Sequence, residues 1–408
     1  MRKPRLLCLF VFLLIFVGVP SIRTGAQTAD SVRRNRDIKP VVHALCGKRI
    51  ALLGESPVHG FGKTLEFKTE LVRQLVEECH YNALFIESGI YDYINIEKKL
   101  HSGQNVMDAM VSAAIGGLWA NKEVRSLIPF LTEKMKSGSL TLGGMDDQIG
   151  YGSYASREMS FDLVQPLQGD EKSRCLATLQ KHLLWQYTAT DPYGPSNKAR
   201  LVECLNEIET RLAQPGESKE PWAAGNKVMV DSLKRNLARN FIEDDFTKKG
   251  QEVRWMNDRD RSMYLNFQWL LSRLPKNSKV IVWAATVHVA KDLNDIDGFE
   301  GRIPLGSYIK HDFKNGAYSL GFSAYSGDYE FIHPPVRHLS IAPVSSLEEQ
   351  AFAHSNSDTV FLSQRQLQKY GLVAARPLGT SFKTAHWDQV VDGLVVFRKE
   401  HAPAWLNH

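Results

Sequence analysis

The stretch RIALLGESPVHG, residues 49–60, runs four apolar residues, Ile50-Ala51-Leu52-Leu53, into Gly54 and a polar loop that carries Glu55 and His59. A continuous apolar run of this length, rather than an alternating one, marks a strand buried on both faces. Downstream, Leu65, Leu71, Val72, Leu75 and Val76 recur at helical spacing. Asn82-Ala83-Leu84-Phe85-Ile86 then forms a second apolar run that ends at Glu87. Two further helical patterns, about 105–117 and 122–136, lead to a third run, Ser139-Leu140-Thr141-Leu142-Gly143, that ends near Asp146. Strands alternating with helices predict an α/β fold, a mostly parallel sheet with helices on both faces.

Between about 165 and 274 the pattern turns to helices alone, with Leu176, Leu179 and Leu183 on one stripe and Leu201, Leu205, Ile208 and Leu212 on another. Sheet-like sequence resumes at Lys279-Val280-Ile281-Val282-Trp283-Ala284 and continues to Gly393-Leu394-Val395-Val396-Phe397. The return of strands after a helical excursion predicts an inserted helical subdomain. The expected division is a leader over 1–26, a first part of the α/β core over 38–165, a helical insertion over 166–274 and a second part of the core over 275–408.

The leader has basic Arg2, Lys3 and Arg5, an apolar run from Leu6 to Val19 and small residues ending at Gly25-Ala26. This is the pattern of a secretory signal peptide, and the run is shorter than the roughly 20 residues a membrane span needs. Cleavage near Ala26 predicts a secreted or periplasmic chain with no membrane association afterwards. The formal net charge of +5 is mild and gives no case for nucleic-acid binding. Removal of the leader leaves Cys46, Cys79, Cys175 and Cys204, for which sequence alone permits three pairings or four buried thiols. Cys175 and Cys204 lie on two helical patterns, about 171–187 and 198–213, at similar distances from the turn-rich segment TATDPYGPS. Cys46 precedes the first strand and Cys79 ends the helix after it. The expected bridges are therefore Cys46–Cys79 and Cys175–Cys204.

In open parallel sheets ligands bind beyond the carboxyl ends of the strands. Those ends carry Glu55 and His59, then Glu87, then Asp146, and later His288. A histidine flanked by carboxylates supplies a base near working pH and an anion to orient it, which is what hydrolysis requires. Arg259 shares a helical face with Met256, Met263, Asn266 and Leu270, so its charge points inward and must find a partner. It either joins helix to sheet as an ion pair or orients Glu87 and stabilises an oxyanion. Asp146 either lines the cleft or caps a helix. Trp255, beside the Arg259 helix, either lines the cleft as a substrate contact or packs in a core.

The segments LLGESPVHG, EFK, ALFIES, LGGMD, NDRDRSMYLN, KVIVWAATVHV and DGLVVFRK, from about residue 45 to 400, resemble the ordered motifs of the erythromycin esterase family. The resemblance implies an α/β core with a helical insertion. It assigns to Glu55 and His59 the roles of the family's glutamate and water-activating histidine in a Gly-Glu-Ala-Thr-His-Gly loop. It matches Glu87, the pair Arg259-Asp260, and His288 to further site residues of the family. Two departures stand out. The loop here holds one more residue between Glu55 and His59, including Pro57, and Ala285 replaces the first histidine of the family's strand-end motif.

The expectation is a secreted esterase-like hydrolase that uses a histidine-activated water on a small-molecule ester or lactone, with antibiotic resistance as an associated role and without a cofactor. The alternatives are a non-catalytic small-molecule-binding protein that keeps the cleft and a metal-dependent hydrolase. Two local patterns compete with the water route. Gly60-Phe61-Gly62-Lys63-Thr64 looks like the end of a phosphate-binding loop, and Gly54-Glu55-Ser56-Pro57-Val58 is a near miss to a nucleophile elbow through Ser56.

Overall fold

A computed structural model describes residues 37–216, 222–239, 250–332, 334–353 and 355–406. The leader and its cleavage point lie outside them. After a helix over 37–46 come the strands β1 (Ile50–Leu53), β2 (Ala83–Gly89), β3 (Thr141–Asp146) and β4 (Val280–Trp283). β5 (Ala317–Tyr329), β6 (Arg337–Leu339), β7 (Thr359–Ser363) and β10 (Gly393–Glu400) complete the main sheet, and β8 (Leu372–Ala375) pairs with β9 (Lys383–His386) apart from it. The sheet order is β3-β2-β4-β1-β5-β10-β7, with β6 paired to β5. All neighbours from β3 to β10 are parallel, and β6 and β7 are antiparallel edges. The chain thus has the mostly parallel α/β sheet expected from its strand–helix alternation.

Side chains of the central strands divide between two cores, as the period of two requires. Ala51, Leu53, Leu84, Ile86, Ile281 and Trp283 face one, covered by α1 (Gly62–Cys79) and the helix Ile128–Lys136. Ile50, Leu52, Ala83, Phe85, Val280 and Val282 face the other. A third core joins the helices α2 (Gly169–Leu183), α3 (Pro195–Leu212) and α4 (Ala223–Ala238). The long helix α5 (Gln251–Ser272) returns to the sheet, placing Met263, Phe267 and Leu270 on its second face.

Several boundaries differ from the sequence expectation. The pattern over 122–136 is split into Lys122–Arg125 and Ile128–Lys136, because Pro129 has no N–H to continue a helix and instead opens a new one. β3 starts at Thr141 rather than Ser139 and ends at Asp146 as expected; a Cβ at Gly144 would lie 2.5 Å from the Gly89 carbonyl oxygen, so glycine here lets the strand pass close to its neighbour. The helix expected over 171–187 ends at Leu183, and Trp185 takes a left-handed backbone with φ 49°.

Both cysteine pairs lie at bonding distance, with Cα–Cα separations of 5.0 Å for Cys46–Cys79 and 5.3 Å for Cys175–Cys204. The first joins the start of the core to the end of α1, and the second joins α2 to α3. Among the described residues no helix is long and apolar enough to cross a membrane. Under denaturing conditions these four cysteines should take up iodoacetamide only after reduction, read by mass. Loops of 33 and 29 residues imply that each bridge contributes roughly 3.5 kcal/mol to stability by limiting the unfolded chain. Uptake by the unreduced chain would show free thiols instead.

Candidate active site

The sheet order brings the carboxyl ends of β3, β2, β4 and β1 side by side, spaced at about 4.8 Å per strand. Glu55 and His59 follow β1, Glu87 lies within β2, Asp146 ends β3, and His288 sits on a short helix, Thr286–Val289, just after β4. Backbone bonds lock the loops together: Thr286 N donates to the Glu55 carbonyl at 2.7 Å and Ala284 N to that of Leu53 at 3.2 Å. The approach is close enough that a Cβ on Gly54 would meet Thr286 Oγ1 at 2.5 Å.

The additional residue in the first loop is absorbed by a turn. His59 N donates to the Ser56 carbonyl at 2.9 Å, closing a four-residue turn with Pro57 at the position its fixed φ suits. His59 itself adopts a φ of 50°, a strained conformation for a side chain with a Cβ. The result brings Nδ1 to 2.6 Å from Glu55 Oε1. Glu55 also accepts from Trp119 Nε1 at 2.8 Å, Lys68 Nζ at 2.8 Å and Trp283 Nε1 at 3.2 Å. Burial would raise its pKa, but Lys68 and His59 outweigh that and hold the carboxyl below its usual range. An ionised Glu55 can only accept, so Nδ1 of His59 carries the proton and Nε2 presents a lone pair. The Trp119 ring packs edge-on to the imidazole with centroids 5.1 Å apart. Lys68 is wholly buried over Trp283, and desolvation lowers its pKa to about 8 despite Glu55.

A second network adjoins the first through Glu87, whose carboxyl is held well below its usual range against the cost of burial by His288, Arg259 and His59. Arg259 reaches across from α5, with Nη2 2.9 Å from Glu87 Oε1 and 2.6 Å from Asp146 Oδ2. Glu87 Oε2 accepts from Ala285 N at 2.7 Å, so the position lacking the family's histidine keeps a backbone role while its methyl group is buried. His288 Nδ1 faces Asp260 Oδ1 at 2.7 Å. Its Nε2 lies 3.1 Å from Glu87 Oε1 and 3.0 Å from Arg259 Nη1. A guanidinium only donates, so these two contacts ask for opposite states of Nε2. The carboxylates prevail: burial lowers the His288 pKa, but Asp260 and Glu87 raise it to about 9, whereas the charge of Arg259 is shared with Asp146. His288 is therefore held toward its imidazolium form.

The structure brings together Glu55, His59, Glu87, Asp146, Arg259 and His288; Trp255 lies one helical turn before Arg259 and lines a separate cavity. Lys68, Trp119, Trp283 and Asp260 complete the cluster. Lys68 could have been found as Arg259 was, since it shares the apolar face of α1 with Leu65, Leu71 and Leu75. Trp119 sits in a short 3₁₀ turn, Gly117–Trp119, with no local signal of its destination.

The phosphate-loop reading fails. The N–H groups of Lys63 and Thr64 at the start of α1 donate to Glu400 Oε2 at 2.9 and 3.3 Å, so a carboxylate from β10 already sits where a phosphate would bind. Ser56 Oγ is buried without a hydrogen-bond partner among the described residues, and His59 Nδ1 faces Glu55, so nothing in this arrangement activates the serine. One group of metal-ligand type, Cys175, Cys204 and Glu207, has its two sulfurs joined to each other.

Comparison with known proteins agrees with this fold. The model of the erythromycin esterase family matches residues 76–399. YbfO of Bacillus subtilis (strain 168), designated a hydrolase, is 25% identical over 422 aligned positions, which cover 95% of this chain and 90% of that protein. Erythromycin esterase type II of Escherichia coli is 25% identical over 331 positions, 74% of each. Among solved structures, a Bacillus cereus protein superposes with a TM-score of 0.68 at 17% identity, covering 91% of this chain and 93% of that one. A mutant of erythromycin esterase EreC in its open conformation gives 0.65 at 15% identity, over 92% and 95%. At such identities the structural matches speak for the fold.

The charge on His288 makes stability pH-dependent. Its folded pKa, about 9, exceeds the ordinary 6.5, so its contribution is complete below pH 6.5 and is lost as pH rises through 9, by roughly 3 kcal/mol. Lys68 acts oppositely: its depressed pKa adds stability as pH rises from about 8 toward 10.5. Urea unfolding of wild type and His288→Gln at pH 6, 8 and 9.5 separates them, and the gap between the two proteins should shrink with pH. A constant gap would show that folding leaves the His288 pKa at its ordinary value.

Proposed function

Because the chain belongs to the erythromycin esterase family, we propose that it is a secreted hydrolase that cleaves an ester or lactone with a water activated by His59. The observation that carries this reading is the Glu55 carboxylate, whose donors fix the His59 tautomer and leave Nε2 as the acceptor. In the proposed reaction Nε2 takes a proton from water as its oxygen attacks the carbonyl carbon. The negative charge that develops on the carbonyl oxygen is stabilised by Arg259 and the His288 imidazolium, both buried where water screens little. As the tetrahedral intermediate collapses, His59 returns the proton to the departing alkoxide, giving an alcohol and a carboxylic acid, which then loses its proton to solvent. Glu87 and Asp146 hold Arg259 in place, and Lys68 keeps Glu55 ionised.

The names of the relatives, a hydrolase and an erythromycin esterase, favour a small-molecule substrate with an acyl–oxygen bond. Ala285 makes the chemistry depend on His59 and His288 alone among the imidazoles of these strand ends. The N-terminal pattern ending at Ala26 favours export.

Hydrolysis of 4-nitrophenyl acetate by purified protein tests the mechanism. His59→Ala should lower kcat by about 10²- to 10⁴-fold with little change in KM. Lys68→Met should lower kcat less and shift the acidic limb of the kcat/KM profile, because it perturbs the anion that orients the base. Undiminished activity in His59→Ala would rule out the histidine-activated water. No turnover by wild type on any ester or macrolide of a broad panel would favour the non-catalytic binding alternative.

A further inference from the structure

Beyond Asp146 the chain enters a second hollow. Gln148 N donates to Asp146 Oδ1 at 3.3 Å, and from Gln148 to Gly152 the loop forms one wall of a cavity of about 780 Å³. That volume lies within the usual range for small-molecule sites, about 300–1,000 Å³. The facing wall comes from the end of α2, where the backbone of Trp185 turns left-handed and the segment 184–194 folds back. Trp185, Tyr187 and Tyr193 pack with ring centroids 5.0 to 5.3 Å apart, and His182 joins them at 5.5 Å from Tyr193. The rings brace one another into a rigid wall, yet Trp185 remains half exposed and Tyr151 opposite is fully exposed. Trp255 on α5 closes the inner end, on the turn before Arg259. The cavity therefore shares β3's exit and the α5 helix with the catalytic cluster.

Its lining is largely apolar, with two arginines, Arg157 and Arg239. Arg239, 5.9 Å from the Trp255 ring, is neutralised by Asp147, to which Nη1 donates at 2.7 Å. Burial drives the His182 pKa down to about 4, so that ring stays neutral. Ile149, Leu183 and Leu237 supply the rest of the apolar lining. Half-exposed indole and phenol rings over such a lining recognise flat ring systems by stacking and edge contacts, while Arg157 and Arg239 in the wall disfavour cations.

We propose that this cavity holds an aryl or fused-ring portion of the ester cleaved at the adjoining centre, with Trp185 and Tyr193 as the specificity-determining contacts. That the ring belongs to a substrate rests on the hydrolase reading above; that the cavity binds a ring does not. The test uses 2-naphthol binding, followed by fluorescence, alongside hydrolysis of 2-naphthyl acetate and ethyl acetate.

His59→Ala should bind naphthol as wild type does. Trp185→Ala with Tyr193→Ala should bind it about tenfold more weakly and raise KM for naphthyl acetate about tenfold, with kcat/KM for ethyl acetate unchanged. If that double variant fails to fold, Trp185→Leu, at a half-exposed position, should show about a threefold loss on the same two measurements. Naphthol binding that depends on the two rings, without turnover of either ester, would sink the catalytic reading and leave the cavity assignment standing. No naphthol binding by wild type, undiminished binding by a folded double variant, or equal loss on both esters would overturn the assignment.

Discussion

Four carboxylates, Glu55, Glu87, Asp146 and Asp260, are buried within one corner of the sheet, and their mutual repulsion sets the terms for everything around them. Anions so placed either take up protons or recruit cations. Here Lys68, Arg259 and the charged His288 are drawn in, each from a different element: α1, α5 and the loop after β4. Arg302, also buried, brings a fourth positive charge near Asp260, and His59 lies against Glu55. Truncating any one cation would leave a buried anion unpaired, so stability and chemistry are coupled there.

Much of this corner was legible in the chain because its cues are local. A continuous apolar run that stops at a glycine announces β1, and the polar residues just after such runs mark the strand ends. A lone charge on an apolar helical stripe exposes Arg259, and the same logic applied to α1 would have exposed Lys68. What was not legible depends on distant partners. Trp119 reaches Glu55 only because the segment between β2 and β3 folds back over the first sheet face. Nor did the sequence show that Gly144 lets β3 pass close to β2. The apolar Leu184-Trp185 pair read as one more helical turn, whereas the ring cluster behind His182 turns the chain outward.

The two departures from the family's motifs resolve differently. The longer first loop costs nothing in placement, since Pro57 sits in a turn that curls His59 back onto Glu55. Ala285 is a real loss of an imidazole, but the amide N–H at that position still anchors Glu87. One change preserves the geometry by rearranging the backbone, and the other retains the part of the residue that the backbone supplies.

β1 stands between β4 and β5, paired at Ile50 with Val280 on one side and Ala317 on the other. The first strand to leave the ribosome therefore finds no sheet neighbour until more than half of the polypeptide has followed it. Meanwhile its bare edges and greasy faces are free to pair with strangers, and such long-range closure is slow. The architecture that gathers the reactive groups at one rim thus makes the newborn chain a natural client for chaperones.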